Sequence, residues 1–493
     1  MLPAWAAAAP GTLAHRQLPA LLAPLRRLPQ KAGAMATPPL FLHDSLRRRR
    51  VRFAPIDPSH VRLYVCGPTV YDLPHLGNVR STVVWDVLVR LLRHLYPRVT
   101  YVRNITDVDD KINARAAASG ESIAAVTERT AAEFAADMAA IGNAPPDIEP
   151  RATAHIPEMI AMTARLVEGG HAYAADGHVL FSVASFPQYG ALSGRSPDEL
   201  LAGARVEVAT YKRDPGDFVL WKPSVPDLPG WDSPWGRGRP GWHIECSAMS
   251  RRYLGADFDI HGGGDDLLFP HHENERAQSL CADPGCGFAH TWLHNGMLLV
   301  DGEKMSKSLG NFFTLRDVLA RAAPETVRLA MLKSQYRGTL DFSDRGLEEA
   351  GHEMDRFYRA LERAGPEGDA QGEVDAQGEV PADFLDAMCD DLNTPQAIAV
   401  LHTLAAAGRA GDATAASSLR ASGRLLGLFA STASAWFQGS GDADAAAIGD
   451  AIAERLAARA AKDWAGADAI RARLAAQGVV LEDKAGATTW RRA

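Results

Sequence analysis

The sequence predicts an α/β protein: a parallel-sheet domain interrupted by an insertion, then a helical C-terminal region. Three observations carry that expectation. Residues 61–118 alternate strand, helix, strand, helix. The alternation lapses from 119 to 235 and resumes between "GWHIECSAM" and "TWLHNGML". Beyond residue 345 the chain is rich in alanine, with charges on alternate helical faces.

The first strand is "VRLYVC", an apolar run that fits a buried parallel sheet. "NVRSTVVWDVLVRLLRHL" reads as an amphipathic helix and "VTYVRNIT" as a second strand. "DVDDKINARAAA" opens with acids, which a helix N-terminus favours. Strand–helix–strand in about 40 residues is a βαβ unit, so the strands are parallel and ligands are expected at their carboxyl ends. Cys66 lies at such an end. The insertion holds helices and then short strands such as "HVLFSV" and "DFVLWKP". The late helices are broken by "GPEGDAQGEVDAQGEVPAD", which repeats DAQGEV at Asp369–Val374 and Asp375–Val380. That segment is acidic and lacks apolar mass, so a disordered linker is expected. The resulting boundaries are 1–34, 35–118, 119–235, 236–300, 301–345, 346–440 and 441–493.

Composition narrows the class. Hydrophobic residues are 46% and charged residues 23%, ordinary for a soluble globular chain. No run of 18 apolar residues exists, which argues against a transmembrane helix. The net charge of -8 does not exclude nucleic acid, because binding follows local patches. The first 60 residues hold nine Lys/Arg against two Asp/Glu. No acid occurs before Asp44. Residues 1–34 therefore read either as codons ahead of a start at Met35 or as a transit peptide. "LRRRRVRF" is a phosphate-binding arm or a solvated loop entering a strand. Five cysteines, an odd and sparse count, indicate a reducing compartment without a disulfide framework.

Metal chemistry is the first candidate. Cys66 and Cys246 supply thiolates, and His271 and Glu275 share one helical face at i and i+4. Two sulfurs, an imidazole and a carboxylate suit zinc. Two rivals compete. Cys281 and Cys286 form a local pair with no second pair nearby. His272-Glu273 begins like a metalloprotease helix but lacks the second histidine. Phosphate chemistry is the second candidate. "PHLGN" opens a helix whose free N–H groups favour an anion, with His75 as a donor and Gly77 allowing close approach. A helix cap is the plainer role for His75. "DGEKMSKSLGNFF" is a cationic Lys/Ser loop before a helix, and "HGGGDD" adds three glycines and Asp266 after a strand, suited to ribose hydroxyls.

"HLGN", followed roughly 230 residues later by the full pentapeptide Lys304-Met305-Ser306-Lys307-Ser308, resembles the class I aminoacyl-tRNA synthetases. "CGPTVYD", "WHIECSAM", "HGGGDDLLFPHHENE" and the closing "ATTWRR" resemble the cysteinyl branch, over residues 40–493. The resemblance implies a Rossmann-like catalytic domain that activates L-cysteine with ATP and passes it from the adenylate to the 3′ end of tRNA(Cys). It implies one Zn²⁺ per subunit held by Cys66, Cys246, His271 and Glu275, and Mg²⁺ accompanying ATP. His75 and Asn78 match the first and last positions of the HIGH signature; Asn78 departs from the general class I histidine, as the cysteinyl branch does. Lys304 and Lys307 would neutralise developing charge, with ATP bound by His75, Gly77, Asp266 and Lys307. Gly67, Thr106 and Trp242 match amino-acid-pocket positions. Residues 119–235 would be the connective insertion, 301–345 the loop and stem-contact region, 346–440 a tRNA-binding bundle and 441–493 an anticodon-recognition tail. Cys389 reads as packing. A monomer in the cytoplasm, without membrane contact, is the implied state; a mitochondrial or plastid address is the alternative. All metal and phosphate motifs lie between 66 and 308, so a cut after 345 is expected to spare adenylate chemistry. The alternative function is the cysteine–aminosugar ligase of mycothiol synthesis, which shares the catalytic half. A non-catalytic RNA-binding relative is a third reading, against which the two phosphate loops stand.

Overall fold

The computed structural model describes residues 38–195, 210–306, 310–363, 378–438, 442–484 and 487–492. The N-terminal extension, Lys307 and most of the DAQGEV repeat lie outside the described residues. The chain divides into two compact units. The first comprises the described parts of Met1–Gly351 with Ala382–Val400 and Leu425–Leu428.

Its centre is a four-stranded parallel sheet in the order Phe288–Asn295, Asp257–Gly264, Val61–Val65, Val99–Arg103. Strand Val61–Val65 carries a buried apolar run, as a strand covered on both faces requires. The sheet grows from it in opposite directions, toward Val99–Arg103 on one side and Asp257–Gly264 on the other. That reversal opens a crevice at the carboxyl ends, where Cys66 begins.

Local chemistry sets the helices between these strands. Leu76–Leu95 starts at His75 and carries Arg93 in its last turn, a cation that suits the negative end of the dipole. Asp110–Ser119 is capped by Asp109, whose side chain accepts from Lys111 N at 2.7 Å, and stops at Gly120 with φ +71°. Ser122 caps Ile123–Ala140. The insertion contributes three strands of an antiparallel sheet ordered Ala172–Ala175, His178–Phe181, Phe218–Pro223, Gly238–Pro240, whose last strand lies just past the expected boundary at 235. Val179, Phe181 and Trp221 from that sheet share one buried cluster with Tyr64 and Trp292 of the central sheet. The insertion is therefore packed as part of the same core. A three-stranded sheet, Glu303–Lys304, Leu298–Val300 and Leu340–Phe342, follows.

Asp391 corrects the proposed cut after residue 345. This buried carboxylate belongs to the first unit. It accepts from His43 N at 2.7 Å, Tyr336 OH at 3.0 Å and Arg337 Nε at 2.8 Å. A cut at 345 removes it and leaves three donors unmatched. Cys389 is buried in the helix Ala382–Cys389, consistent with packing.

The second unit holds the described parts of His352–Pro381, Leu401–Arg424 and Phe429–Ala493. Phe357 and Tyr358 both meet Phe429 edge-on, and Tyr358 stacks on Trp436 at 4.5 Å. Within it, helices Asp442–Ala460 and Trp464–Ala476 and the antiparallel hairpin Val479–Lys484/Ala487–Arg492 bury their own cluster of Ile448, Ile452, Ile470, Leu474, Leu481 and Trp490. The segment 441–493, expected as a tail, thus ends in a β-hairpin. Among the described residues, no helix is long and apolar enough to cross a membrane.

Candidate functional site

Three distant segments meet at the carboxyl edge of the sheet. Cys66 follows strand Val61–Val65, and Cys246 lies on helix Trp242–Leu254. His271 and Glu275 flank the start of helix Glu273–Ala282. One ligand atom from each of these four residues falls within 4.8 Å of all the others. Cys66 Sγ donates to Glu275 Oε1 at 3.2 Å, and His271 Nε2 stands 3.0 Å from the same oxygen.

The electrostatics suit a dication. Burial opposes the charged form of Cys246, yet its contacts with Cys66 and His271 hold the thiol down at about 6. Burial, with Cys246 and Glu275 beside it, pushes the Cys66 thiol well up. Glu275 is held well below the ordinary carboxylate range: burial alone would raise it, but His261 and His271 outweigh that. His271 is lifted to about 10, Glu275 and Cys246 overcoming burial. Two sulfurs, one imidazole and one carboxylate are the donor set of a four-coordinate zinc, so the residues fit that ion. A second grouping, Cys66, His261, His272 and Glu275, meets the same distance limit but carries one sulfur. Among the described residues Cys281 and Cys286 join neither grouping.

Several polar groups here were not singled out from sequence. His243 Nδ1 lies 2.9 Å from His271 Nδ1. Asn104 Oδ1 accepts from Gly67 N at 2.9 Å, and Cys246 Sγ is 3.6 Å from it. Glu245 is fully buried and accepts from Thr106 Oγ1 at 2.9 Å; burial and then Cys246 push its carboxyl well up. The quoted motif "WHIECSAM" contained His243 and Glu245, but helical spacing alone does not separate them from core positions. Trp242 is 37% exposed and stacks on His271 at 4.1 Å, at the rim. Gly67 has a steric reason: a Cβ there would sit 1.6 Å from Asn104 O.

The phosphate side holds two corrections. His75 caps its own helix, its Nδ1 accepting from Gly77 N at 3.1 Å and Asn78 N at 3.3 Å. Asn78 Oδ1 accepts from His75 N at 3.2 Å, completing a capping box. Leu76 N donates to Phe313 O at 3.1 Å. The first-turn N–H groups expected to be free for an anion are therefore occupied. The ring that occupies them is left, when neutral, with its proton on Nε2. The second correction concerns "HGGGDD", whose glycines lie inside strand Asp257–Gly264 rather than after it. A Cβ on Gly262 would meet Trp85 at 2.4 Å and one on Gly263 would meet His272 at 2.7 Å. Alternate faces of the strand thus receive a helix side chain each. Asp266 is exposed in the turn that follows.

Lys304 is exposed on the strand Glu303–Lys304, and Lys307 lies outside the described residues. Asn311 braces this segment, accepting from Ser306 N at 2.8 Å and donating to Lys304 O at 3.2 Å. A Cβ on Gly77 would stand 3.4 Å from Met305 Cε, and His75 bridges Thr314. The two signature segments are thus neighbours.

The chain matches known proteins over most of its length. The family profile described as "tRNA synthetases class I (C) catalytic domain" matches residues 52–352. Profiles described as "DALR domain" and "Cysteinyl-tRNA ligase anticodon binding domain" match 383–430 and 445–491. The "Cysteine--tRNA ligase" of Acidiphilium cryptum (strain JF-5) is 65% identical over 452 residues, covering 92% of this chain and 99% of that protein. That of Gluconobacter oxydans (strain 621H) is 64% identical over 454 residues, covering 92% and 98%. A Mycobacterium tuberculosis methionyl-tRNA synthetase in complex with methionyl-adenylate shares the fold at TM-score 0.52 and 15% identity, over 75% of this chain and 89% of that one. With its catalytic profile spanning the sheet and its relatives matched nearly end to end, the chain belongs to the cysteine–tRNA ligase family of class I tRNA synthetases.

Proposed function

We propose that this chain activates L-cysteine with ATP and transfers it to the 3′ end of tRNA(Cys), as a zinc-dependent cysteine–tRNA ligase. The four-donor cluster beside the HLGN turn is the observation that carries the reading. Cys66, Cys246, His271 and Glu275 would hold the zinc. When bound, zinc supplies a soft Lewis acid that takes the substrate thiol as thiolate.

The chain's own residues do the rest. Cys66 and His75 stand at the two ends of one turn, so amino acid and nucleotide are held together and the attack becomes effectively unimolecular. An oxygen of the cysteine carboxylate attacks the α-phosphorus, and the bond to pyrophosphate breaks. His75 donates to a phosphoryl oxygen through Nε2–H, because its Nδ1 is committed to the helix. Asn78 holds the His75 backbone. Lys304 and Lys307 neutralise charge on the leaving group, to which Mg²⁺ accompanying ATP would add. Gly67, Thr106 and Trp242 wall the amino-acid pocket, with the Thr106 hydroxyl oriented by Glu245. Asp266 faces the ribose hydroxyls.

The matches at 383–430 and 445–491 support tRNA over an aminosugar as the acceptor. Two assays test the reading. Cysteine-dependent exchange of pyrophosphate into ATP, followed by charging of tRNA(Cys), is expected. Exchange without charging points to the aminosugar ligase, and neither activity refutes both.

A further inference from the structure

Arg80 lies on the helix Leu76–Leu95, five residues past His75, and is 1% exposed. Its Nη1 donates to Gly296 O at 2.9 Å and Met297 O at 2.5 Å. Its Nη2 donates to Gly338 O at 2.6 Å, with longer contacts of 3.4 Å to Tyr336 O and Ser334 Oγ. Among the described residues no carboxylate pairs with it. A buried charge answered by carbonyls and one hydroxyl, with no paired carboxylate, is an expensive way to fill space, and an apolar side chain would pack there at less cost. The planar fork does what no apolar residue can: it fixes several carbonyls at once.

Those carbonyls belong to two loops with one destination. Gly296–Met297 joins strand Phe288–Asn295 to Leu298–Val300, and Ser334–Gly338 joins helix Pro324–Leu332 to Leu340–Phe342. Strands Leu298–Val300 and Leu340–Phe342 pair in parallel, and Leu299 pairs with Lys304. The loops touch through their main chains: Gly296 N donates to Tyr336 O at 2.8 Å, and a Cβ on Gly296 would lie 2.4 Å from Arg337 O. One guanidinium therefore ties the helix that begins at His75 to the sheet that ends in Lys304.

We propose that Arg80 is a positioning residue for ATP, setting the distance between the HLGN helix and the strand that carries the Lys304–Ser308 segment. The proposal rests on the ATP role assigned to those two segments above. Arg80 touches no reactant. It acts by holding His75 and Lys304 in one frame, so its loss should disturb nucleotide chemistry and leave the cysteine cluster alone. A displacement of about 1 Å at a reacting group can cost 10²-fold in rate.

The test uses the full-length protein with Arg80→Lys and Arg80→Gln. Three readouts are taken: single-turnover adenylate formation at varied ATP and cysteine, zinc content, and trypsin cleavage after Lys304. Arg80→Gln should slow adenylate formation about 10–100-fold and speed cleavage at Lys304, with cysteine KM within about twofold and zinc retained. Arg80→Lys should recover part of both losses. Should Arg80→Gln fail to fold, Gly296→Ala moves the clasped loop without touching Arg80 and should show the same pattern. Unchanged adenylation in a folded Arg80→Gln protein overturns the proposal. So does a loss of cysteine affinity equal to the loss for ATP, which marks a general structural role. Were the wild-type protein to lack cysteine-dependent exchange, the functional reading would fail, and an unaltered Lys304 cleavage rate would still reject the clasp separately.

Discussion

Replacing Asp86 with Asn tests how the HLGN helix is anchored. Asp86 is 3% exposed and faces two cations. Arg328, fully buried, donates to Asp86 Oδ2, and Arg90 Nε donates to the same oxygen at 2.7 Å. Ala144 N donates to Oδ1 at 2.9 Å. Arg328 also reaches Leu426 O at 2.6 Å and Asn143 Oδ1 at 2.7 Å. Asparagine takes from the buried Arg328 guanidinium the carboxylate it pairs with, a change that typically costs about 3–5 kcal/mol. The remaining acceptors keep the guanidinium partly satisfied, so the lower end, about 3 kcal/mol, is expected. That corresponds to roughly 100-fold in an opening equilibrium. Amide hydrogen exchange of peptides from Leu76–Leu95 and Pro324–Leu332 should accelerate by about that factor, while peptides from Asp442–Ala460 should not change.

The pH dependence has a definite sign. Burial works to raise the Asp86 carboxyl, but Arg328, Arg90 and the Ala144 N–H hold it below its ordinary value. The charge therefore stabilises the fold at any pH above the ordinary carboxylate range and is lost only as pH falls through the lowered value. The difference between wild type and Asp86→Asn should be flat from about pH 8 to 5 and shrink only below about 4. Removing both charges, as Asp86→Leu with Arg328→Met, should cost less than Asp86→Asn alone. An exchange ratio under about threefold, or a penalty that vanishes between pH 8 and 6, would refute the anchoring.

Three further outcomes are expected. Cys246→Ser and His271→Ala should each lose zinc by metal analysis, while Cys281→Ser with Cys286→Ser retains it; the opposite pattern would move the metal elsewhere. Serine should support pyrophosphate exchange at least about 10⁴-fold less well than cysteine, since a site built on a soft metal contact rejects an analogue lacking the thiol; exchange within tenfold would sink the zinc-based selectivity. Deleting 442–493 should spare exchange and depress charging, whereas deleting 346–493 should abolish exchange by removing Asp391 and the Leu426 carbonyl; exchange by the shorter protein would show that those contacts are dispensable.

The motifs were legible because their chemistry is local. A strand ending in Cys66, a helix opening after "PHLGN" and an i, i+4 pair at His271 and Glu275 need only period, turn residues and capping. The glycine triplet was placed less well. Gly262 and Gly263 look like a turn in a linear chain, and only the approach of Trp85 and His272 from elsewhere explains them. His75 was assigned both a cap and a phosphate role, and its contacts show the cap.

Sequence by itself determined the alternation of elements and the family, and it singled out the four residues that meet in one cluster and the two signature segments, since each is written within a few residues. Tertiary structure decided what those pieces meet. Cys66 and Glu275 stand 209 residues apart and touch only because Asp257–Gly264 packs beside Val61–Val65. Asp391 meets His43, Tyr336 and Arg337, and Arg80 meets the carbonyls of Gly296 and Gly338, likewise across long stretches of chain. Such pairings depend on which strands become neighbours after a crossover, and no local periodicity carries that choice.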